Sequence, residues 1–182
     1  MNNIIVEFQR KSTRTAPFNA KPSNTQEFNW FLSNYTLGLV GEALELSKVI
    51  DHHVDFHKLD DLERQQVYDD YIKEMGDVFH YAINLLTSLG EEFKEDRLSY
   101  GKSGLKYLAG DFVETIKKKI YHGHDIENEY LIESLYEIIN ELIDYSESHL
   151  ELILNTNIEK LKVRYPQCFT VEDSVKRVDL NG

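Results

Sequence analysis

The chain has 182 residues, 41% hydrophobic and 29% charged, with a formal net charge of −12. That length can bury a real core in one domain or two closely packed repeats, and the acidic balance argues against a general DNA or RNA binder, which needs a basic footprint. A free nucleotide stays open as a partner, because a bound divalent cation reverses the local field.

The lone cysteine, Cys168, cannot form an internal disulfide, which suits a reducing compartment. No apolar run approaches the roughly 20 residues of a membrane span, and no apolar signal core opens the chain. The expectation is a cytoplasmic protein with no membrane partner. Charge is uneven: Arg10, Lys11, Arg14 and Lys21 make the first segment basic, and Lys160, Lys162, Arg164, Lys176 and Arg177 do the same for the last.

The three prolines fall at 17, 22 and 166, and between them apolar residues recur at three- and four-residue spacing, the pattern of an all-helical protein. Residues 1 to 22 read as an extended arm or short helix followed by a loop. "SNTQ" (23 to 26) caps a helix from about 25 to about 54, with a break near Asn34. Asp60 and Asp61 cap a second long helix that ends near Gly90. "SYGKSG" (99 to 104) is a glycine-rich joint opening a third helix, which ends at "YHGH". A fourth runs from about Asp125 to Ser148, and a fifth from about 149 to Tyr165, where Pro166 stops it. "TVED" (170 to 173) is a capping box for a short last helix.

The two halves look alike. "GLVGEALELSKVI" pairs with "YLAGDFVETIKKKI", and "YIKEMGDVFHYAINLLTSLG" with "YLIESLYEIINELIDYSESHL". Aligning Gly41 with Gly110 sets Asp111 and Glu114 against Glu42 and Glu45, whereas Ser134 or Glu137 falls opposite the later acids. This reads as one all-α domain, 1–182, with a four-helix-bundle-like core built from a degenerate tandem repeat of helical hairpins. Residues 1–98 form a first copy with intact carboxylate motifs, and 99–182 a degenerate second copy plus the tail.

Residues three apart on a helix share a face, so Glu42 with Glu45, and Glu74 with Asp77, each aim at one spot. On antiparallel neighbours the four carboxylates would converge, which is untenable without cations. Hard ions such as Mg²⁺ or Mn²⁺ prefer such all-oxygen sets. The plain alternative is solvated outer faces in a chain with 32 acids. Apolar neighbours such as Leu44, Leu46, Met75 and Val78 count against it, because a buried carboxylate needs a compensating charge. Gly41 and Gly76 are poor helix formers beside these acids and suggest close approach of a helix or ligand.

The frame E-x-x-E, about 28 residues, then E-x-x-D resembles the all-α nucleoside triphosphate pyrophosphohydrolases, the MazG-like and dimeric dUTPase-like superfamily. "FQRKSTRT", "LGLVGEALEL", "KEMGDVFHYAINLLTSLG", "KKKIYHGH" and "NIEKLKVRYPQCFTVEDSVKR" resemble its successive segments. One departure is that "DHHVDFHK" stands where "HGH" would follow the first metal helix, and "YHGH" comes only in the second half. The resemblance implies hydrolysis of an NTP or dNTP to the monophosphate and pyrophosphate. It implies Mg²⁺, with Mn²⁺ as a substitute, on Glu42, Glu45, Glu74 and Asp77, with Glu42 or Glu45 orienting the attacking water.

Asn157, Lys160 and Arg164 share a helical face and could clamp phosphates; from charge alone they are a solvated basic helix end, and the resemblance favours the clamp. Phe28, Trp30 and Phe31 are core by default, but one could stack on a base whose edge Asn29 or Asn34 reads. Lys117, Lys118 and Lys119 read as a solvated face. His122 with His124, and His52, His53 and His57, lack the partners of a zinc site. His80 after Asp77 invites a di-iron reading, which the absence of any Glu-x-x-His opposes. The competing class is a non-catalytic helical module, a pseudoenzyme that binds nucleotide or a partner chain. The family's dimers and tetramers leave a homo-oligomer open.

Overall fold

A computed structural model of the chain describes residues 2–52, 58–98 and 104–176. The expected end of the first long helix near 54, His53, His57, most of the glycine-rich joint at 99–104 and Arg177 lie outside the described residues. The protein is all-α, and no strand occurs among the described residues. Its helices are α1 (Asn2–Ser12), α2 (Thr25–His52), α3 (Asp61–Ser88), α4 (Leu105–Tyr121), α5 (Asn128–Ser146), α6 (Leu150–Arg164) and α7 (Val171–Lys176). No described helix is long and apolar enough to cross a membrane.

Local chemistry sets the ends. At α2 the Glu27 amide donates to Asn24 Oδ1 at 2.9 Å, and Ser23 N and Oγ both donate to the Glu27 carboxylate at 2.8 Å. At α3 the box is reciprocal: Glu63 N donates to Asp60 Oδ1, and Asp60 N to Glu63 Oε2, each at 2.9 Å. Asp173 N donates to Thr170 Oγ1 at 3.0 Å and so caps α7. The expected break near Asn34 does not occur. Its amide donates to the Trp30 carbonyl at 2.9 Å, while Phe31, Leu32 and Tyr35 are buried around it, so the packed helix continues through. The segment before α2 holds a surprise, since Phe18, Asn19 and Ala20 have φ of 56°, 51° and 54°, a left-handed turn without glycine.

Helices α2 and α3 are each 28 residues, about 42 Å at 1.5 Å per residue. They pack on each other, α4 packs on α2, α5 packs on both α3 and α4, and the four close a bundle. Helix α6 lies across α3 and α1. Phe31, Leu39 and Leu46 of α2 meet Met75, Phe79 and Ile83 of α3, Phe112 of α4, Leu135 and Ile139 of α5, and Ile153 and Leu154 of α6 in one contiguous core. Burying each such side chain stabilises by about 1.5–3 kcal/mol. Polar ties fix α1 on α3. Gln9 Nε2 donates to Thr87 Oγ1 and the Glu91 carbonyl, both at 2.9 Å, and Gln9 Oε1 accepts from Phe93 N at 2.8 Å.

Candidate metal centre and its cleft

The pairing of α2 with α3 brings Glu42, Glu45 and Glu74 together, one oxygen from each lying within 4.8 Å of the others. No other group of three His, Cys, Asp or Glu side chains of this kind occurs among the described residues. Glu74 is only 6% exposed, and its environment is lopsided. Lys73 Nζ donates to Oε1 at 2.6 Å, while Oε2 is buried with no hydrogen-bond partner. Burial, then the charges of Asp77, Glu74 and Glu45 and a hydrogen bond with Glu74, push the Glu42 carboxyl up to about 8. A carboxyl so placed keeps its proton at neutral pH unless a cation replaces it. Burial works to lower Lys73, but its hydrogen bond to Glu74 and the nearby acids outweigh that, and the ammonium is held above its ordinary range. A carboxyl that keeps its proton against the buried Glu74 carboxylate marks an all-oxygen set short of positive charge, which a hard divalent cation fits.

The fourth acid differs from the expected convergence. Asp77 faces the same cleft, but α6 grips it: Asn157 Nδ2 donates to Oδ1 at 2.7 Å, and Lys160 Nζ pairs with Oδ2. Gly76 makes this contact possible, since a Cβ there would sit 2.8 Å from Asn157 Cβ. The expectation of close approach therefore holds at Gly76 and fails at Gly41, where an added Cβ would meet nothing within 4 Å because that position faces outward. Gly38, one turn earlier, has the contact Gly41 was expected to have, with the Tyr81 ring lying 2.3 Å from where its Cβ would be.

Beside these groups lies a cleft of about 400 Å³. Trp30, Asn34, Glu42, Glu45, Asp77, Lys160 and Arg164 all border it, whereas Asn29 and the buried Glu74 and Asn157 do not. Trp30 is 47% exposed rather than core, because it lies at the cleft mouth in edge contact with Phe18, ring centroids 5.9 Å apart. Thr15, Pro17, Tyr165, Phe169 and Ser174 close the far side, where Arg14 Nη2 donates to the Tyr165 carbonyl at 3.3 Å and Phe169 N to the Arg14 carbonyl at 3.2 Å.

Sequence reasoning missed the aromatic wall. Tyr35 and Tyr81 sit edge to face at 5.1 Å, and burial raises both hydroxyls, Tyr81 to about 12 with help from Glu42 and Asp77. His80, buried at the cleft wall, is lowered to about 4, mainly by burial. Its Nδ1 lies 3.2 Å from Asn84 Nδ2, within hydrogen-bonding distance. The available signal was helical spacing, with Lys73 and Tyr81 four residues either side of Asp77 and Gly38 ahead of the acids.

The remaining candidates stand apart. Lys117 and Lys118 pair with Glu114 at 2.7 and 3.9 Å, and Lys119 donates to the Ile126 carbonyl. The His122 and His124 rings are exposed, 6.2 Å apart, and Cys168 is exposed and free. Comparison with protein-family models, curated proteins and solved structures finds no match for the chain.

Proposed function

We propose that the protein is a divalent-metal-dependent hydrolase of nucleoside triphosphates that releases the monophosphate and pyrophosphate, as its resemblance to MazG-like pyrophosphohydrolases implies. The observation that carries the reading is that Glu42 and Glu45, clustered with the buried Glu74, line one cleft with the cationic side chains of Lys160 and Arg164. A carboxylate cluster alone would repel a triphosphate, and a basic helix alone would bind any anion. Opposed across one cleft, they suit a metal-bound polyphosphate.

Glu42, Glu45 and Glu74 would hold Mg²⁺, or Mn²⁺ in its place. When bound, the ion neutralises phosphate charge and lowers the pKa of water. Lys160 and Arg164, one turn apart on α6, attract the β- and γ-phosphates and offset the charge that builds on the departing pyrophosphate. Glu45 or Glu42 presents a carboxylate oxygen that orients water toward the α-phosphorus. One P–O bond forms there, the bond to the β-phosphate bridging oxygen breaks, and pyrophosphate leaves. Trp30, with Asn34 one turn on, offers a stacking face and an amide for the base.

The test is incubation of the purified protein with each common NTP and dNTP in Mg²⁺ and in Mn²⁺, products being separated by ion exchange. Monophosphate plus pyrophosphate, lost in both Glu42→Ala and Glu74→Ala, is the expected result. Diphosphate plus phosphate would mean the wrong bond. Binding of nucleotide without turnover would favour the non-catalytic module, a reading that the engagement of both Asp77 oxygens by α6 supports.

A further inference from the structure

We infer that Lys160 is a tethered occupant of the carboxylate site, holding Asp77 out of the cation cluster until a polyanion draws it away, so that anion and cation binding are coupled through one ion pair. This rests on the reading of Glu42, Glu45 and Glu74 as cation ligands.

The geometry is specific. Asp77 follows Glu74 by three residues, the spacing that points two side chains at one spot. Even so, the cluster closes with Glu42, Glu45 and Glu74 alone, and both Asp77 oxygens are taken by α6. The grip is built into the fold rather than left to surface side chains. Lys160 and Asp77 are 15% and 13% exposed, and Gly76 removes the one side chain that would hold Asn157 away from α3. At that burial solvent screens the pair weakly, so Asp77 is not freely available to a cation.

Lys73 marks the contrast. It also pairs with an acid of the site, but its side chain is 42% exposed and it takes only one oxygen of Glu74. Glu74 therefore remains in the cluster although it is paired, and Asp77 does not. Arg164 lines the same cleft one turn beyond Lys160, so an anion attracted there meets both cations of α6. A polyphosphate oxygen competes with Asp77 for the Lys160 ammonium. Once Lys160 turns, Asp77 keeps Asn157 and regains a free carboxylate oxygen beside the cluster. Linkage makes the effect mutual, with anion tightening cation binding and cation tightening anion binding by the same factor.

The experiment is isothermal titration with Mn²⁺, alone and with saturating inorganic pyrophosphate, on wild type, Asp77→Asn, Lys160→Gln, the double variant and Glu74→Gln. Without pyrophosphate, Asp77→Asn should change Mn²⁺ affinity by less than about two-fold while Glu74→Gln weakens it by about ten-fold or more. In the Lys160→Gln background Asp77→Asn should cost about five-fold, a non-additivity that a purely structural ion pair would not give. Pyrophosphate, which itself ligates Mn²⁺, should tighten Mn²⁺ several-fold more in wild type than in Asp77→Asn. The inference is overturned if Asp77→Asn alone weakens Mn²⁺ as much as Glu74→Gln does, or if the double variant is additive. Should Lys160→Gln fail to fold, the comparison of Asp77→Asn with Glu74→Gln decides. No Mn²⁺ binding by wild type would overturn both this inference and the metal site. The expected coupling without nucleotide hydrolysis would sustain the inference and overturn the catalytic reading.

Discussion

The α2–α3 pair and the α4–α5 pair carry acids at comparable spacing and put them to opposite uses. In the first, Glu42, Glu45 and Glu74 converge and Asp77 is gripped by α6. In the second, Asp111, Glu114 and Glu137 are exposed, Glu114 pairs with Lys117 on its own helix, and Ser134 donates to the Tyr130 carbonyl one turn back. The spacing is shared, so spacing does not make the site. What differs is a third element. Helix α6 packs on α3 at Gly76 and delivers Lys160 and Arg164 to the cleft, while Gly110 of α4 would meet nothing within 4 Å of an added Cβ.

The largest expected effect breaks the comparison at its acids. Glu74→Gln should lower kcat/KM on the best nucleotide by about a thousand-fold, or ~4 kcal/mol of transition-state stabilisation. Glu114→Gln should leave it within about two-fold, because its ion pair is a surface one. Steady-state kinetics of the two variants side by side checks this.

Next come the glycines. Gly76→Ala drives a methyl against Asn157 and should destabilise by about 1–3 kcal/mol. Gly110→Ala and Gly41→Ala add a methyl in open space and should stabilise by up to about 1 kcal/mol. Denaturant midpoints would read opposite signs.

A smaller effect separates the two pairs by pH. Folded Glu42 keeps its proton up to about 8, whereas the unfolded chain releases it near 4.5. Between those values the folded state binds more protons, so metal-free stability falls as pH rises. His80, lowered to about 4 from 6.5, acts oppositely below 6.5, since there the unfolded chain takes up the proton. Above 6.5 Glu42 acts without that opposition, and the melting temperature should decline toward pH 8. Glu42→Gln should flatten that decline, and Glu114→Gln should leave it in place. The smallest effect is Lys117→Ala, expected to cost under about 0.5 kcal/mol and no activity.

Much of this was legible locally. The caps at Asn24, Asp60 and Thr170 are one-turn chemistry, and the helical period carries the all-α reading. Glu42, Glu45 and Glu74 stood out because apolar residues crowd them on their own helices. What was not legible is tertiary. Nothing near Asp77 announces that Asn157 and Lys160, 80 and 83 residues later, will take both its oxygens. Nor does a glycine say what it faces, and Gly38, Gly41 and Gly76 look alike until their neighbours are in place. Trp30 read as core because an aromatic in an apolar helix usually is, and only the packing of α2 shows it at a cleft mouth.

The central claim is that the α2–α3 acids, and not those of α4–α5, form a cation site. Its most direct test is thermal unfolding with increasing Mn²⁺ on wild type, Glu74→Gln and Glu114→Gln. The account predicts equal upward shifts for wild type and Glu114→Gln and none for Glu74→Gln. A shift that survives Glu74→Gln, or one that Glu114→Gln abolishes, would contradict it.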